Sequence, residues 1–299
     1  MLTEPIVATA MAYTARKADP AMPKILPTNA IEQYRRDGYY SPLAALTAAE
    51  VSHSRNALES FEKSQGHSLQ GAQRSKSHLL FKWVDDLMRH DKILDAVEDL
   101  IGPDILCWNT LFWTKEARSE SFVSWHQDLR YWGLDTDGLV SVWLALSPAT
   151  LESGCMHVLP GSHLGELMPH KDEYADGNLL TRGQEISVEV DASKAVAMPL
   201  DPGEISLHNG RLAHASSPNQ SADRRIGLSL HYIPTETKQV VGAWDSAALV
   251  RGEDRYGHFE RTPTPAADFD PAAVAFHSRA TDAVREILFH DAAKIRPTI

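Results

Sequence analysis

The sequence predicts a mainly β domain, a sandwich or barrel of short strands, with α-helices before and after it in the chain. From Ile105 onward, apolar and polar residues alternate in short runs separated by turn residues, a pattern typical of strands. Many short strands between turns indicate a sandwich or barrel. The 299 residues, 43% of them hydrophobic, are enough for one substantial core, so one large domain is expected.

The chain divides into three expected segments. Residues 1–30 contain Ala, Thr and Pro without clear periodicity and predict a loosely ordered arm. Residues 31–260 are expected to form the main domain, with a helical buttress over 42–104 and the β-rich part over 105–235. Residues 261–299 hold a linker rich in Pro and Ala and a C-terminal helix.

The buttress contains two predicted helices. Thr47 and Glu50 form a capping box for a helix that continues to about Lys63. The second helix begins near Leu87 and ends at Gly102, which a proline follows. Both helices are expected to pack against one sheet of the β-rich part.

The β-rich part contains short runs with a period of two between turn residues. The expected strands cover residues 105–114, 121–128, 138–146, 155–159, 185–190, 195–200, 204–208, 212–217 and 225–233. Further along, segment 250–259 is compact and charged and is not assigned a place. Asp270 and Pro271 predict the start of a helix that ends near His290.

The net charge limits the possible partners, and the pattern of apolar segments bears on location. A net charge of −11 argues against nucleic acid and disfavours an anionic membrane surface. The sequence contains no apolar run of bilayer-spanning length and no basic segment leading into an apolar leader, so we expect a cytoplasmic protein. Cys107 and Cys155 are too few for a disulfide framework and are expected to be buried. The oligomeric state is left open.

The triplet His126-Gln127-Asp128 predicts a metal site. In an extended strand, residues i and i+2 point to the same face, so His126 and Asp128 can bind one ion while Gln127 faces away. With His214, they make the set of two imidazoles and one carboxylate that holds Fe(II) and leaves positions free for other ligands. Among fourteen His, such a triplet also arises by chance. The strand pattern around it favours the metal site.

Arg225 stands eleven residues after His214 and begins a predicted strand. The ordered set Trp125–Asp128, Leu159–His163, His214 and Arg225 resembles the phytanoyl-CoA dioxygenase family over roughly residues 30 to 260. This resemblance implies a double-stranded β-helix, the jelly roll or cupin-like barrel. It also implies an oxygenase that uses Fe(II), 2-oxoglutarate and O2.

The resemblance implies roles for four residues. His126, Asp128 and His214 match the iron ligands and are the expected catalytic set, while Arg225 matches the group that binds the distal carboxylate of 2-oxoglutarate. A planar guanidinium suits that bidentate contact. The alternative for Arg225 is a surface salt bridge.

Asp128 also bears on the reaction type. A halogenating branch of the family has Ala or Gly in place of the carboxylate ligand, so the retained Asp128 favours hydroxylation of an unactivated C–H bond. Desaturation, epoxidation or cyclisation at the same site, action on an acyl-CoA, and a non-catalytic sensor that binds metal and 2-oxoglutarate remain alternatives.

Other polar residues are candidates near the metal. Asn109 and Ser229 are expected to contact 2-oxoglutarate, with plain strand positions as the alternative. His208 and His163 are expected to be structural.

The substrate is expected to be a small molecule that is polar or zwitterionic, of the amino acid, quaternary amine or aminoalkylphosphonate type. Tyr131 and Trp132 follow Asp128 closely and are expected at the mouth of the site, with core packing as the alternative for Trp132. The polar insert 165–184 is expected to form a lid. Three of its residues are candidates for binding substrate, with a solvated loop as the alternative: Asn178, Arg182 and Gln184.

Overall fold

A computed structural model describes residues 23–292. Five α-helices are described: α1 Thr28–Asp37, α2 Ala48–Gln65, α3 Lys82–Met88, α4 Asp91–Ile101 and α5 Pro271–Leu288. The strands are β1 Tyr39–Ala44, β2 Ile105–Lys115, β3 Val123–His126, β4 Val140–Ala145, β5 Met156–Val158, β6 His170–Asp172, β7 Gln184–Ile186, β8 Val196–Met198, β9 Glu204–Asn209, β10 His214–Ser216, β11 Arg225–Pro234, β12 Ser246–Arg251 and β13 Glu260–Arg261.

The strands form two main sheets and a hairpin. The larger sheet has the order β1-β9-β4-β11-β2-β12-β13, and the smaller one has the order β3-β10-β5-β8. β6, inside the 165–184 insert, pairs with β7, which begins at the last residue of that insert. The pairs are antiparallel except for β12 with β13. This two-sheet arrangement is the predicted double-stranded β-helix.

The larger sheet is buried on both faces, and β11 shows why. Its even-numbered residues from Ile226 to Tyr232 belong to the main hydrophobic core, which they share with helices α1 to α4. Arg225, Ser229 and His231, which alternate with them, are also buried but line a cavity on the other face. Because side chains alternate along a strand, one face carries stability and the other carries polar chemistry.

The predicted helices form with the expected start signals. Thr47 caps α2 with a capping box to Glu50, and the Asp270 side chain accepts hydrogen bonds from the first backbone N–H groups of α5. The helix expected from Leu87 is two helices, because the chain leaves helical geometry at Arg89 between α3 and α4.

The segment before the main domain differs in part from the prediction. The boundary expected at residue 30 falls inside α1, and Leu26 and Ala30 are buried in the main core. The rest of the expected arm, residues 1–22, lies outside the described residues. Within residues 23–292, no helix is both long enough and apolar enough to cross a membrane.

Candidate metal and cosubstrate site

Two imidazoles and one carboxylate meet where neighbouring strands end. His126 ends β3, His214 begins β10, and the two residues pair directly in the smaller sheet. One ligand atom from each of His126, Asp128 and His214 lies within 4.8 Å of the others. Asp128 Oδ1 is 3.4 Å from His126 Nε2 and 3.9 Å from His214 Nε2. These three side chains can therefore hold one ion.

Asp128 lies in a 3₁₀ turn and not on the strand expected over 121–128. The strand ends at His126 because the backbone N–H of Gln127 donates to His170 Nε2 instead of continuing the ladder. Gln127 itself is extended and faces away from the cluster, and its amide bonds the Arg211 carbonyl and the Met168 N–H. Gln127 therefore faces away from His126 and Asp128, as expected, although the strand is shorter than predicted.

Backbone carbonyls orient both imidazoles. His126 Nδ1 lies 2.9 Å from the Ser124 carbonyl, and His214 Nδ1 lies 2.9 Å from the Leu212 carbonyl. Each Nδ1–H donates to its carbonyl, which leaves the Nε2 lone pair free for a metal. Ser141 Oγ donates to Asp128 Oδ2 and contacts His231 Nδ1 at 2.9 Å, so the carboxylate is also held in place.

The protonation states of the cluster suit a divalent cation. Burial acts to raise the pKa of Asp128, but the His214 and His126 imidazoles outweigh it, and the pKa lies below its ordinary range. Burial, together with His126, lowers the pKa of His214 to about 4. An ionised carboxylate and a neutral imidazole are the forms that ligate metals. Two nitrogen donors and one carboxylate oxygen are a set that fits Fe(II).

A first cavity, of about 430 Å³ including its part open to solvent, lies between the two sheets beside the cluster. Arg225 lines it with only 2% of its surface exposed. The guanidinium donates to the Gly154 carbonyl and lies 5.3 Å from the centre of the Trp143 ring, while its Nε has no partner among residues 23–292. Burial lowers the pKa of Arg225 to about 10, so the group remains charged at neutral pH. A carboxylate fits this cavity.

Lys115 is a second buried basic residue beside Arg225, and sequence reasoning missed it. The two residues are paired across β2 and β11. Lys115 Nζ donates to Ser216 Oγ at 2.7 Å and to the Ser217 carbonyl, and Ser216 lines the first cavity. Burial and the Arg225 charge lower the pKa of Lys115 to about 6.

A second cavity, of about 650 Å³ including its part open to solvent, lies beside the same cluster. It shares Trp113, His126 and Asp128 with the first cavity. Helix α5 contributes Val284, Ile287 and Leu288 to its wall. The metal cluster therefore borders two cavities, one lined by the buried Arg225 and one whose lining includes three tryptophans.

The comparison with known families agrees with this arrangement. Residues 34–227 match the family described as phytanoyl-CoA dioxygenase (PhyH), and this range contains the metal cluster and Arg225. The chain belongs to this family. Family membership confirms the resemblance seen in the sequence, and the relatives reported below are described as dioxygenases.

Individual PhyH relatives are moderately similar. A Stutzerimonas stutzeri protein described as a probable alpha-ketoglutarate-dependent hypophosphite dioxygenase is 28% identical over 192 residues, 62% of this chain and 66% of that protein. Human peroxisomal phytanoyl-CoA dioxygenase is 29% identical over 145 residues, 47% of this chain and 43% of that protein. The chain thus matches 66% or less of the length of these relatives.

A solved structure described as the apo form of the non-heme monooxygenase ThoJ is similar over almost its whole length. It shares 36% identity and has a TM-score of 0.77, with 87% of this chain and 97% of that chain covered. This similarity confirms the predicted fold class.

In this PhyH-family chain, the two residues expected to contact 2-oxoglutarate, Ser229 and Asn109, lie in different cavities. Ser229 lines the first cavity on the same face of β11 as Arg225. Asn109 lines the second cavity instead, and its Oδ1 accepts hydrogen bonds from Ser75 Oγ and the Lys76 N–H. A contact of Asn109 with 2-oxoglutarate therefore stays a prediction without support from its position. His208 lines the first cavity with its Nε2 4.0 Å from Asp128 Oδ2.

The residues predicted to bind substrate are all at least partly buried. Tyr131, Trp132 and Gln184 line the second cavity. Asn178 and Arg182 have protein partners instead: Asn178 donates to Ser124 Oγ, whereas Arg182 pairs with two carboxylates and bonds the Leu288 carbonyl. The insert 165–184 is thus tied to the domain by its own side chains.

Proposed function

We propose that this chain is an Fe(II)- and 2-oxoglutarate-dependent dioxygenase that hydroxylates an unactivated C–H bond of a small molecule, with His126, Asp128 and His214 as iron ligands. One observation carries the proposal: the three side chains converge at the shared wall of two cavities, one of which is lined by the buried Arg225, which has no carboxylate partner among the described residues.

The first cavity is assigned to 2-oxoglutarate. Arg225 binds the distal carboxylate through its planar guanidinium, and Ser229 and Ser216 provide hydroxyls in the lining of the same cavity. Trp143 covers one face of the guanidinium and excludes water from the ion pair. Iron with bound 2-oxoglutarate and dioxygen supplies the oxidation of the C–H bond, with succinate and carbon dioxide as coproducts.

The second cavity is assigned to the substrate, whose C–H bond it holds beside His126 and Asp128. A small polar or zwitterionic substrate was predicted from Arg182, and the relative described as a hypophosphite dioxygenase supports a small polar molecule. The pairing of Arg182 with Asp172 and Asp291 removes the other support. The proposal is therefore limited to a small-molecule substrate.

The test is succinate formation from 2-oxoglutarate by protein loaded with Fe(II) under anaerobic conditions and then exposed to air. We expect turnover that His214→Ala abolishes. His163→Ala is the matched control, because the His163 ring contacts the Arg35 carbonyl and is not part of the metal cluster. Binding of iron and 2-oxoglutarate without turnover across a broad substrate panel would favour a sensor, and failure to bind iron would overturn the proposal.

A further inference from the structure

The wall of the second cavity is aromatic and aliphatic. Three tryptophans, Trp108, Trp113 and Trp132, line it together with side chains of α5 and of the 165–184 insert. Apart from the metal cluster, no charged side chain of the described residues lines this cavity. A charged substrate group held there would lose its water shell without a counter-charge, which is unfavourable.

An aromatic wall can also bind cations through its ring faces, but here protein cations already contact those faces. Lys76 Nζ lies 5.4 Å from the Trp108 ring centre and Arg74 lies 5.4 Å from that of Trp113. Trp132 packs against Trp108 at 5.0 Å and against the His231 ring at 4.6 Å. Protein groups therefore already occupy ring faces that could otherwise attract a cationic ligand.

Anions lack a partner for a different reason. Lys76 donates to the Trp108 and Ser246 carbonyls and lies 3.7 Å from Asp245, so its charge is compensated. Arg182 lies over the Tyr131 ring, and the carboxylates of Asp172 and Asp291 neutralise it. Neither cation lines the cavity.

One fully buried side-chain oxygen of a lining residue has no hydrogen-bond partner among the described residues. Gln184 is 5% exposed and lines the cavity, and its Oε1 has no hydrogen-bond partner among residues 23–292. An unpaired buried acceptor is stabilised by a ligand that donates an N–H or O–H.

We propose that the second cavity binds an uncharged, ring-sized apolar group that carries one N–H or O–H donor, and that Gln184 accepts the hydrogen bond from it. This inference rests on the proposed function, because the group is then the part of the substrate presented to the iron. Charge elsewhere on the substrate is compatible with it.

The test uses three probes of nearly the same shape: benzyl alcohol, benzylammonium and benzoate. Their affinity is measured by saturation-transfer NMR on protein whose first cavity is filled with 2-oxoglutarate and a redox-inactive divalent ion. We expect benzyl alcohol to bind about tenfold or more tightly than either ion, since a buried charge without a partner is unfavourable. Benzyl methyl ether, which lacks the donor, should lose affinity, and Gln184→Leu should remove that difference. Equal binding of an ion, or no binding of any ring probe, overturns the inference.

A charged residue introduced into the wall of the second cavity tests whether the ring probes bind there. Val284 is partly buried on α5, and Val284→Asp should shift the preference toward benzylammonium while Val284→Asn, of the same shape, should not. Circular dichroism shows whether the two variants fold alike. If they do and Val284→Asp keeps the same preference among the three probes, the inference is also overturned.

Two further measurements separate the two proposals: titration and turnover of 2-oxoglutarate on protein loaded with Fe(II), and the probe titrations repeated without 2-oxoglutarate. If 2-oxoglutarate fails to bind but the neutral probe keeps its advantage, the proposed function fails and the cavity assignment stands. If 2-oxoglutarate binds and is turned over but the ring probes show no selectivity for the neutral form, only the cavity assignment fails.

Discussion

Arg225 and Lys115 are neighbouring buried basic residues, and neither has a carboxylate partner among the described residues. Burying a charge without a counter-charge destabilises a protein, so such a pair is typical of a site that a ligand completes. The distal carboxylate of 2-oxoglutarate would supply the missing charge under the proposed function.

Replacing Arg225 tests this at a single side chain. Arg225→Gln should raise the KM for 2-oxoglutarate by on the order of 10- to 100-fold, because a charge-assisted hydrogen bond contributes ~1.5–3 kcal/mol. Iron binding should not change. Steady-state kinetics of both variants measure the change. Arg224→Gln is the control, since Arg224 pairs with Glu62 and Glu116 and does not line the first cavity. A normal KM in Arg225→Gln would falsify the assignment of the first cavity.

Lys115 gives a pH-dependent prediction. Its pKa of about 6, lowered by burial and by Arg225, makes the amine mostly neutral above that pH in the ligand-free protein. A nearby carboxylate favours the charged form and raises the pKa, so 2-oxoglutarate binding at about pH 8 should take up a proton. The measurement is the calorimetric binding enthalpy in buffers with different ionisation enthalpies. Lys115→Met should bind without this buffer dependence. The same dependence in both proteins would exclude Lys115 as its source.

The metal ligands could be predicted from single residues, whereas Lys115 could not. His126 and Asp128 are two positions apart, and the pattern shows their common side even though Asp128 is in a turn. Lys115 meets Arg225 only because β2 and β11 pair in one register. That register depends on contacts between distant parts of the chain, which a local pattern does not contain.

At the level of elements, α5 forms part of the wall of the second cavity although it lies after the β-rich region in the chain. Arg182 holds its end: Nη1 donates to the Leu288 carbonyl at 2.8 Å, and the guanidinium pairs with Asp291 and Asp172. The insert 165–184 and the helix are thus joined through one side chain. The same side chain was predicted to bind substrate.

Removing that side chain should loosen the end of α5. Arg182→Gln should increase amide hydrogen exchange in the last turns of Pro271–Leu288, because the helix end loses its charged hydrogen bonds. Affinity for 2-oxoglutarate should stay the same. Arg285→Gln, at an exposed position on the same helix, is the control measured in the same way. Unchanged exchange in Arg182→Gln would mean that packing alone holds α5.

The start of α5 was predictable and its position was not. Asp270 and Pro271 are local start signals, but the contact of Val284 with the second cavity depends on long-range packing. β1 was missed because it contains Pro42, which argues against a strand. The structure places β1 at the edge of the larger sheet, where a missing N–H is tolerated.

For the whole molecule, one face of the larger sheet packs in the hydrophobic core and the other lines the first cavity. Leu230 is fully buried in the core beneath the helices, while its neighbour Ser229 lines the first cavity. Leu230→Ala should lower the free energy of unfolding by about 2–5 kcal/mol, whereas Ser229→Ala should change it little and weaken 2-oxoglutarate binding. Urea denaturation of the two metal-free variants measures the difference. Similar losses of stability would contradict this division of faces.

The three metal-binding side chains come from the smaller sheet and the turn that follows it, whereas Arg225 comes from the larger sheet. Under the proposed function, 2-oxoglutarate chelates the iron and also contacts Arg225, so it links the two sheets. The rigidity of the barrel then depends on how much 2-oxoglutarate the surroundings provide. When this small metabolite is scarce, the two sheets lose a shared anchor, and the protein becomes easier for a protease to open.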